Sequence, residues 1–186
     1  MSSTRYGEEY HRALTEAAKW HGDHTRKGSD IPYVSHLLSV SALVWEDGGT
    51  ETEAIAALLH DAVEDRRSTL PEVVDAFGAD VGRIVEHCSD AAPAAGEAKP
   101  PWFDRKIAHL HKLAEIVATP DAHGTVRVLS ADKLANVRTM LADHHAGEDV
   151  FGRFKAGLGG TVWYQGEMVA LIAGARPHAK LTRELG

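Results

Sequence analysis

A histidine followed directly by an aspartate, His60 and Asp61, ends an apolar run and constrains the fold more than any other feature of this chain. Leu58 and Leu59, with Ile55 one turn earlier, have the i, i+3, i+4 spacing of a helix face that packs into a core. A carboxylate beside such a face must be paired, hydrated or bound to a metal, because burying it alone is costly. Adjacent residues on a helix project about 100° apart, so this pair can share one ion only at the helix edge. Further ligands must therefore come from other segments.

Two other segments offer candidate ligands. His36 follows Pro32 in a stretch with helical periodicity, and proline is favoured in the first turn of a helix. Asp132 and Asn136 are four residues apart, so they share one face of another predicted helix. With the histidine–aspartate pair, these segments supply two imidazoles and two carboxylates. Such a shell suits Mn²⁺, Fe²⁺ or Zn²⁺ better than Ca²⁺.

Apolar residues recur with a helical period along most of the chain, which predicts an all-α helical bundle with a metal site between helices. Thr69 and Glu72 form a capping box that opens a short helix closed by Gly78. The Ala- and Pro-rich stretch 91–101 is interpreted as a mobile loop within one domain. Other helices are expected at about 10–21, 33–46, 51–63, 81–88 and 103–117, around Asp132, and after Gly159 and Gly160.

Composition excludes several classes of function. The 186 residues carry a net charge of −7, which argues against binding long nucleic acid. A small anionic substrate remains compatible, because a metal and a few cations can reverse the local field. Cys88 is the one cysteine, so no intrachain disulfide is expected, and a reducing, cytoplasmic location is the simplest interpretation. There is no apolar leader and no stretch of about 18 apolar residues, so no membrane span is expected. The sequence does not indicate an oligomeric state.

The same residues carry a resemblance to a known family. The order His…His-Asp…Asp is that of the HD phosphohydrolase superfamily, and the wider pattern resembles the hydrolase domain of the RelA/SpoT family. The likeness is strongest to its stand-alone members, the small alarmone hydrolases or metazoan SpoT homologues. It implies a single HD domain over 1–186, with a core at about 8–172. The motifs that carry it are Arg26-Lys27, Pro32-Tyr33-x-x-His36, Leu59-His60-Asp61-x-Val63-Glu64-Asp65 and Ala131-Asp132-Lys133-Leu134-x-Asn136-x-Arg138.

The resemblance implies roles for individual residues. Glu64 and Asp65 would handle the attacking water as acid and base, in an order that stays open. Arg26 would stack on a guanine base, since a guanidinium plane suits stacking. The metal, most often Mn²⁺ in this family, would be held by His36, His60, Asp61 and Asp132. The other expected substrate contacts are Asn136 to sugar or phosphate, Lys27, Lys133 and Arg138 to phosphate charge, and Tyr164 at the pocket wall.

The implied activity is hydrolysis of the 3′-pyrophosphate of ppGpp or pppGpp, giving GDP or GTP and pyrophosphate. One alternative keeps the fold and metal but acts on the 2′-phosphate of NADPH or on other nucleotides, because segment 91–125 departs from the better-known members. Another is a metal-bound nucleotide sensor without turnover, which the intact Glu64 and Asp65 disfavour. The chain continues into no synthetase region, so alarmone synthesis is not expected.

The remaining histidines and aromatic residues receive structural interpretations. His21 and His24 have the spacing of a metal pair, but this spacing without further ligands is a weak signal. Trp163 beside the apolar residues of the last helix is more typical of a core than of a substrate platform. The histidines expected at the surface are His109, His111, His144, His145 and His178.

Overall fold

A computed structural model describes residues 6–65, 67–90 and 100–186, and these residues form helices joined by short turns. Among them the one β feature is an isolated bridge between Thr25 and Pro32, so the all-α prediction is confirmed. The helices are α1 (Glu8–Trp20), α2 (Val34–Glu46), α3 (Glu51–Leu59), α4 (Leu70–Phe77), α5 (Ala79–Cys88), α6 (Trp102–Val117), α7 (His123–His145), a 3-10 turn (Phe151–Arg153), α8 (Gly157–Ala175) and α9 (Lys180–Leu185).

Local sequence signals set two of the helix starts. The hydroxyl of Thr69 accepts a hydrogen bond from the Glu72 backbone N–H, and the Glu72 carboxylate accepts one from the Thr69 N–H. Thr50 and Glu53 form the same reciprocal pair at the start of α3. Each capping box satisfies backbone donors that the first helical turn leaves free. Gly78 separates α4 from α5 with φ of +86°, a conformation in which a side chain would be strained.

Helix α3 runs through the centre of the bundle. Its side chains from Ala54 to Leu59 are all buried, and it packs against α1, α2, α5 and α7. A smaller core lies where α6 and α8 meet α7, around Leu113 and Met168. Packed helices therefore surround α3, and they restrict the side chains of the residues that follow it, His60 and Asp61. Within the described residues, no helix combines the length and apolar character needed to cross a membrane.

The structure corrects several predicted boundaries. Helix α3 ends at Leu59 instead of residue 63, because the N–H of Ala62 bonds to the carbonyl of Leu59 and the chain continues in tight turns. Helix α8 begins at Gly157, before the glycine pair that was expected to precede it. Helix α9 was not predicted. Of the predicted loop at 91–101, residues 91–99 lie outside the described part of the chain.

A buried aspartate joins the C-terminal segment to the centre of the bundle. The Asp47 carboxylate, only 3% exposed, lies 3.0 Å from Nε of Arg127 on α7 and 2.8 Å from a terminal guanidinium nitrogen of Arg176. It also accepts the backbone N–H of Leu181 on α9 at 3.4 Å. One carboxylate thus positions α7, the helix that carries Asp132, against the ends of α2 and α8.

We expect Asp47→Asn to lower the free energy of unfolding by about 2 kcal/mol, because Arg176 loses its counter-charge and Arg127 keeps only Glu53. Urea denaturation followed by circular dichroism measures this loss. Asp75→Asn is the matched control, since Asp75 is exposed on α4. If Asp47→Asn lost no more free energy of unfolding than Asp75→Asn, the Asp47 charge would not stabilise the fold, because water would solvate the arginines in its place.

Candidate metal centre and adjoining cavity

The end of α3 fixes the orientation of the His60 ring. Its Nδ1 lies 2.8 Å from the carbonyl oxygen of Ala57, which can only accept, so Nδ1 carries the proton. In the neutral ring, the form that binds a metal, the lone pair is therefore on Nε2, which lies 3.0 Å from Oδ2 of Asp61 and 3.7 Å from Oδ1 of Asp132. A ring held in this way presents an Nε2 lone pair suited to a metal ion.

His36 on α2 approaches the same two carboxylates as His60. Its Nε2 lies 3.2 Å from Oδ1 of Asp132 and 3.7 Å from Oδ2 of Asp61. Ligands bound to one ion at about 2.0–2.2 Å lie roughly 3.0–3.5 Å apart, close to these separations. His60 Nε2 is buried and has no hydrogen-bond partner among the described residues. The structure thus brings together the four residues predicted as ligands, and His36, His60 and Asp132 form a group that could hold a divalent ion.

Both carboxylates of this centre are oriented by other side chains. The hydroxyl of Tyr33 donates to Asp61, while Lys133 and Asn136 donate to the two oxygens of Asp132 at 2.8 and 2.6 Å. Burial raises the pKa of Asp132, but the Lys133 charge and the histidine bonds outweigh it and lower that pKa well below its usual value. Asp132 is therefore ionised at neutral pH, as a metal ligand must be.

Glu64 and Asp65 lie in the turns that follow His60, and they face different neighbours. An oxygen of Glu64 accepts the backbone N–H of Asp90 at 3.4 Å. A carboxylate oxygen of Asp65 lies 3.5 Å from Nδ1 of His24. Burial, together with the charges of Asp61 and Glu64, raises the pKa of Asp65 to about 6. A carboxyl group with this pKa can exchange a proton near neutral pH.

A cavity of about 470 Å³ adjoins the metal centre. Tyr33 and Asn136 line it and also bind the carboxylates of the centre, so the two are connected. Among the described residues that line the cavity, Asp143 is the one acidic residue, and its carboxylate is paired with Arg153 at 2.6 Å. The cavity is therefore cationic although the whole chain is acidic. Its basic lining residues are Arg26, Lys27, Arg105, Lys106, Arg153 and Lys155.

Most residues predicted to contact substrate lie at or beside this cavity. Arg26 donates to Oδ1 of Asn136 at 3.2 Å, and the ammonium of Lys27 lies 5.0 Å from the centre of the Phe154 ring. Tyr164 is at once a cavity wall and part of the core between α6 and α8. Lys133 is buried between Asp132 and the Tyr164 ring, whose centre is 5.6 Å from its ammonium.

Arg138 does not lie with the other predicted substrate contacts. It is half exposed and pairs with Glu184 on α9, where its Nε lies 3.0 Å from the carboxylate. Arg138 follows Asp132 by six positions on α7, and a helix turns by about 100° per residue, so the two side chains project about 120° apart. Arg138 is therefore not a lining residue of the cavity in this structure, and the expectation that it offsets phosphate charge stays a prediction.

The sequence interpretation missed a buried cluster beside Glu64. Asp90, just after α5, is paired with Arg105 and lies 3.0 Å from the ammonium of Lys106. His109 was expected at the surface but is only 5% exposed, with Nδ1 3.3 Å from Asp90. The spacing of Arg105, Lys106 and His109 along one helix was the available signal. The cluster anchors α6, which carries cationic residues of the cavity wall, beside the Glu64 turn.

Comparison with known proteins places these observations in context. The model of the family described as HD domain matches residues 13–153. The human guanosine-3′,5′-bis(diphosphate) 3′-pyrophosphohydrolase MESH1 is 34% identical over 127 residues, which are 67% of this chain and 65% of that protein. A guanosine-3′,5′-bis(diphosphate) 3′-pyrophosphohydrolase from Aquifex aeolicus is 32% identical over 136 residues, or 73% of this chain and 18% of that protein. The chain thus spans just under two thirds of the first relative and less than a fifth of the second.

Solved structures include a similar fold. The structure of a metazoan ortholog of SpoT, described as hydrolyzing ppGpp, matches with a TM-score of 0.79. The match covers 98% of this chain and 94% of that one, at 24% sequence identity. At this identity the likeness concerns the helical bundle and the order of its helices.

Proposed function

Because the chain belongs to the HD domain family, we propose that it is a metal-dependent hydrolase that removes the 3′-pyrophosphate of ppGpp or pppGpp. One observation carries the proposal: two histidines and two aspartates converge beside a cationic cavity, to which Tyr33 and Asn136 connect them. The names of the human and Aquifex relatives supply the substrate. The reaction adds one water and gives GDP or GTP and pyrophosphate.

We assign the metal to His36, His60, Asp61 and Asp132, and Mn²⁺ is the ion we propose. These four residues would hold a divalent ion, which would lower the pKa of water and so supply hydroxide near neutral pH. The donor set fits such an ion, because two imidazoles and two carboxylates suit Mn²⁺, Fe²⁺ and Zn²⁺.

Glu64 and Asp65 form the proton-handling pair of the proposed reaction. They lie four and five positions after His60, in the turns that follow it, and the pKa of Asp65 is raised to about 6. A group with such a pKa is partly ionised near neutral pH and can take a proton from water or return one to the leaving pyrophosphate. The positions of the two carboxylates do not determine which of them acts as the acid and which as the base.

The cavity suits a nucleotide that carries several phosphates. Its volume of about 470 Å³ lies within the roughly 300–1,000 Å³ of ordinary small-molecule sites. Three of its basic lining residues, Arg26, Lys27 and Lys155, have no carboxylate partner within the described residues and would offset part of the charge of two diphosphates. Arg26 also lies beside Asn136, where it could stack on a base or bind phosphate. The partner of this protein is accordingly a small nucleotide.

A second candidate is hydrolysis of another nucleotide, including the 2′-phosphate of NADPH, at the same centre. The observation that favours it is the wall formed by Trp102, Arg105 and Lys106. This wall belongs to the 91–125 segment, where the sequence departs from the better-known alarmone hydrolases. A sensor without turnover is disfavoured, because it does not need the two carboxylates beside the metal group.

Turnover by the purified protein with Mn²⁺ tests the proposal. We expect ppGpp to give GDP and pyrophosphate, identified by chromatography, and NADPH and ordinary nucleotides to react at least about 10-fold more slowly, a difference of roughly 1.4 kcal/mol in transition-state binding. Protein stripped with a chelator is the control and should be inactive. Activity on NADPH alone would support the second candidate function, with the same metal centre acting on a different nucleotide. Inactivity on every substrate with metal bound would overturn the assignment as an enzyme.

A further inference from the structure

A second group of metal-ligating side chains lies next to the proposed catalytic centre. His21 follows the last residue of α1, His24 lies in the turn beyond it, and Asp65 lies in the turns after α3. One ring nitrogen from each histidine and one oxygen from Asp65 are all within 4.8 Å of one another. The histidine spacing was a weak signal in the sequence, and the structure adds the carboxylate that the spacing lacked.

Two of the three separations within this group are close to those around one bound ion, and all three ligand atoms lie within 4.8 Å of one another. The Nδ1 atoms of His21 and His24 are 3.2 Å apart, and Nδ1 of His24 is 3.5 Å from Oδ2 of Asp65. Ligand atoms bound to one Zn²⁺ at about 2.0–2.1 Å with tetrahedral angles lie roughly 3.3–3.4 Å apart. A proton on His24 Nδ1 could serve only one of the two contacts, so a hydrogen bond does not account for the whole arrangement.

The ligands are also held in place before any ion binds. His21 is 2% exposed, so packing restricts the position of its ring. The His24 ring stacks on Tyr33 with ring centres 4.0 Å apart, and the His21 ring lies 5.2 Å from the same tyrosine. Tyr33 in turn donates to Asp61 of the first centre. Burial and stacking therefore fix both imidazoles at low entropic cost on binding.

We propose that His21, His24 and Asp65 form a second divalent-cation site, suited to a borderline ion such as Zn²⁺. Two imidazoles and one carboxylate, with a further position left for water, are a common zinc ligand set. An ion bound there occupies the carboxylate of Asp65 and so inhibits hydrolysis. This inhibition rests on the proposed function, whereas the site itself does not.

Zinc content tests the site without any nucleotide. The full chain, stripped with a chelator and dialysed against Zn²⁺, is expected to retain two ions per chain by elemental analysis. His24→Gln should retain one, and so should Asp132→Ala, which removes the first site. His111→Gln, at an exposed position on α6, is the matched control and should retain two. One ion in the wild type, or equal contents in the wild type and His24→Gln, would overturn the second site.

Asp65→Asn removes a different ligand of the same site, so the count can be repeated if His24→Gln does not fold. Inhibition gives an independent readout in Mn²⁺-loaded enzyme, with each variant normalised to its own rate without zinc. The zinc concentration that halves the rate should rise at least about 10–100-fold in His24→Gln, the range seen when a metal site loses a supporting group. An unchanged value, with two ions bound by the wild type, would overturn the inhibitory role of the site.

Discussion

Replacing Asp132 by alanine is expected to remove the divalent ion from the catalytic centre and abolish turnover. Asp132 contacts both histidines of the centre, through an oxygen 3.2 Å from His36 Nε2 and 3.7 Å from His60 Nε2. Its loss should reduce metal affinity by more than the roughly 10–100-fold that follows removal of an outer-shell partner. Elemental analysis of the metal and the rate of nucleotide hydrolysis both measure the effect.

The helices should survive this change. Alanine has the highest helix propensity, and α7 keeps its apolar contacts through residues such as Leu129 and Leu134. The far-ultraviolet circular dichroism spectrum should therefore match the wild type. Asp75→Ala, at an exposed position on α4, controls for the loss of a carboxylate and should keep both metal and activity. Wild-type turnover by Asp132→Ala would remove this residue from the ligand set.

The sequence predicts those parts of the site that depend on local geometry. Asp132 and Asn136, four residues apart, were expected on one helix face, and their side chains hydrogen-bond at 2.6 Å. The capping box of Thr69 and Glu72 is equally local and is present as predicted. Helical turns have a fixed geometry, so contacts within one turn follow from spacing alone. His60 and Asp61 share one site because the helix ends at Leu59, directly before them.

Contacts between distant segments were not predictable in the same way. The burial of His109 depends on where α6 packs against Asp90, and nothing in the spacing of one helix determines that. The ion pair of Arg138 was unpredictable for the same reason, because its partner Glu184 lies on α9. This helix has only six residues, so its apolar periodicity is too short to predict it. Tertiary packing decides which polar side chains become buried, so the cationic wall of the cavity could be derived only from the fold.

Glu64→Gln is expected to lower kcat by roughly 10²–10⁴-fold while leaving the metal and nucleotide bound. The amide oxygen of glutamine can still accept the backbone N–H of Asp90, which Glu64 accepts at 3.4 Å. The turn should therefore keep its shape, and only the charge and the proton-carrying capacity are lost. Stopped or quenched turnover with Mn²⁺ measures kcat, and elemental analysis measures the metal. Glu115→Gln, at an exposed position on α6, is the matched control.

The pH profile of the slow variant separates a chemical role from a structural one. The negative charge of Glu64 contributes, after burial and Asp61, to the raised pKa of Asp65, which is about 6. Removing that charge lowers the pKa of Asp65, so any limb of the rate profile that reports Asp65 should move to lower pH. A lower kcat with intact metal and a displaced limb is the result expected of the acid–base pair. A wild-type rate would exclude Glu64 from proton transfer, and loss of the metal would show that Glu64 supports the centre instead.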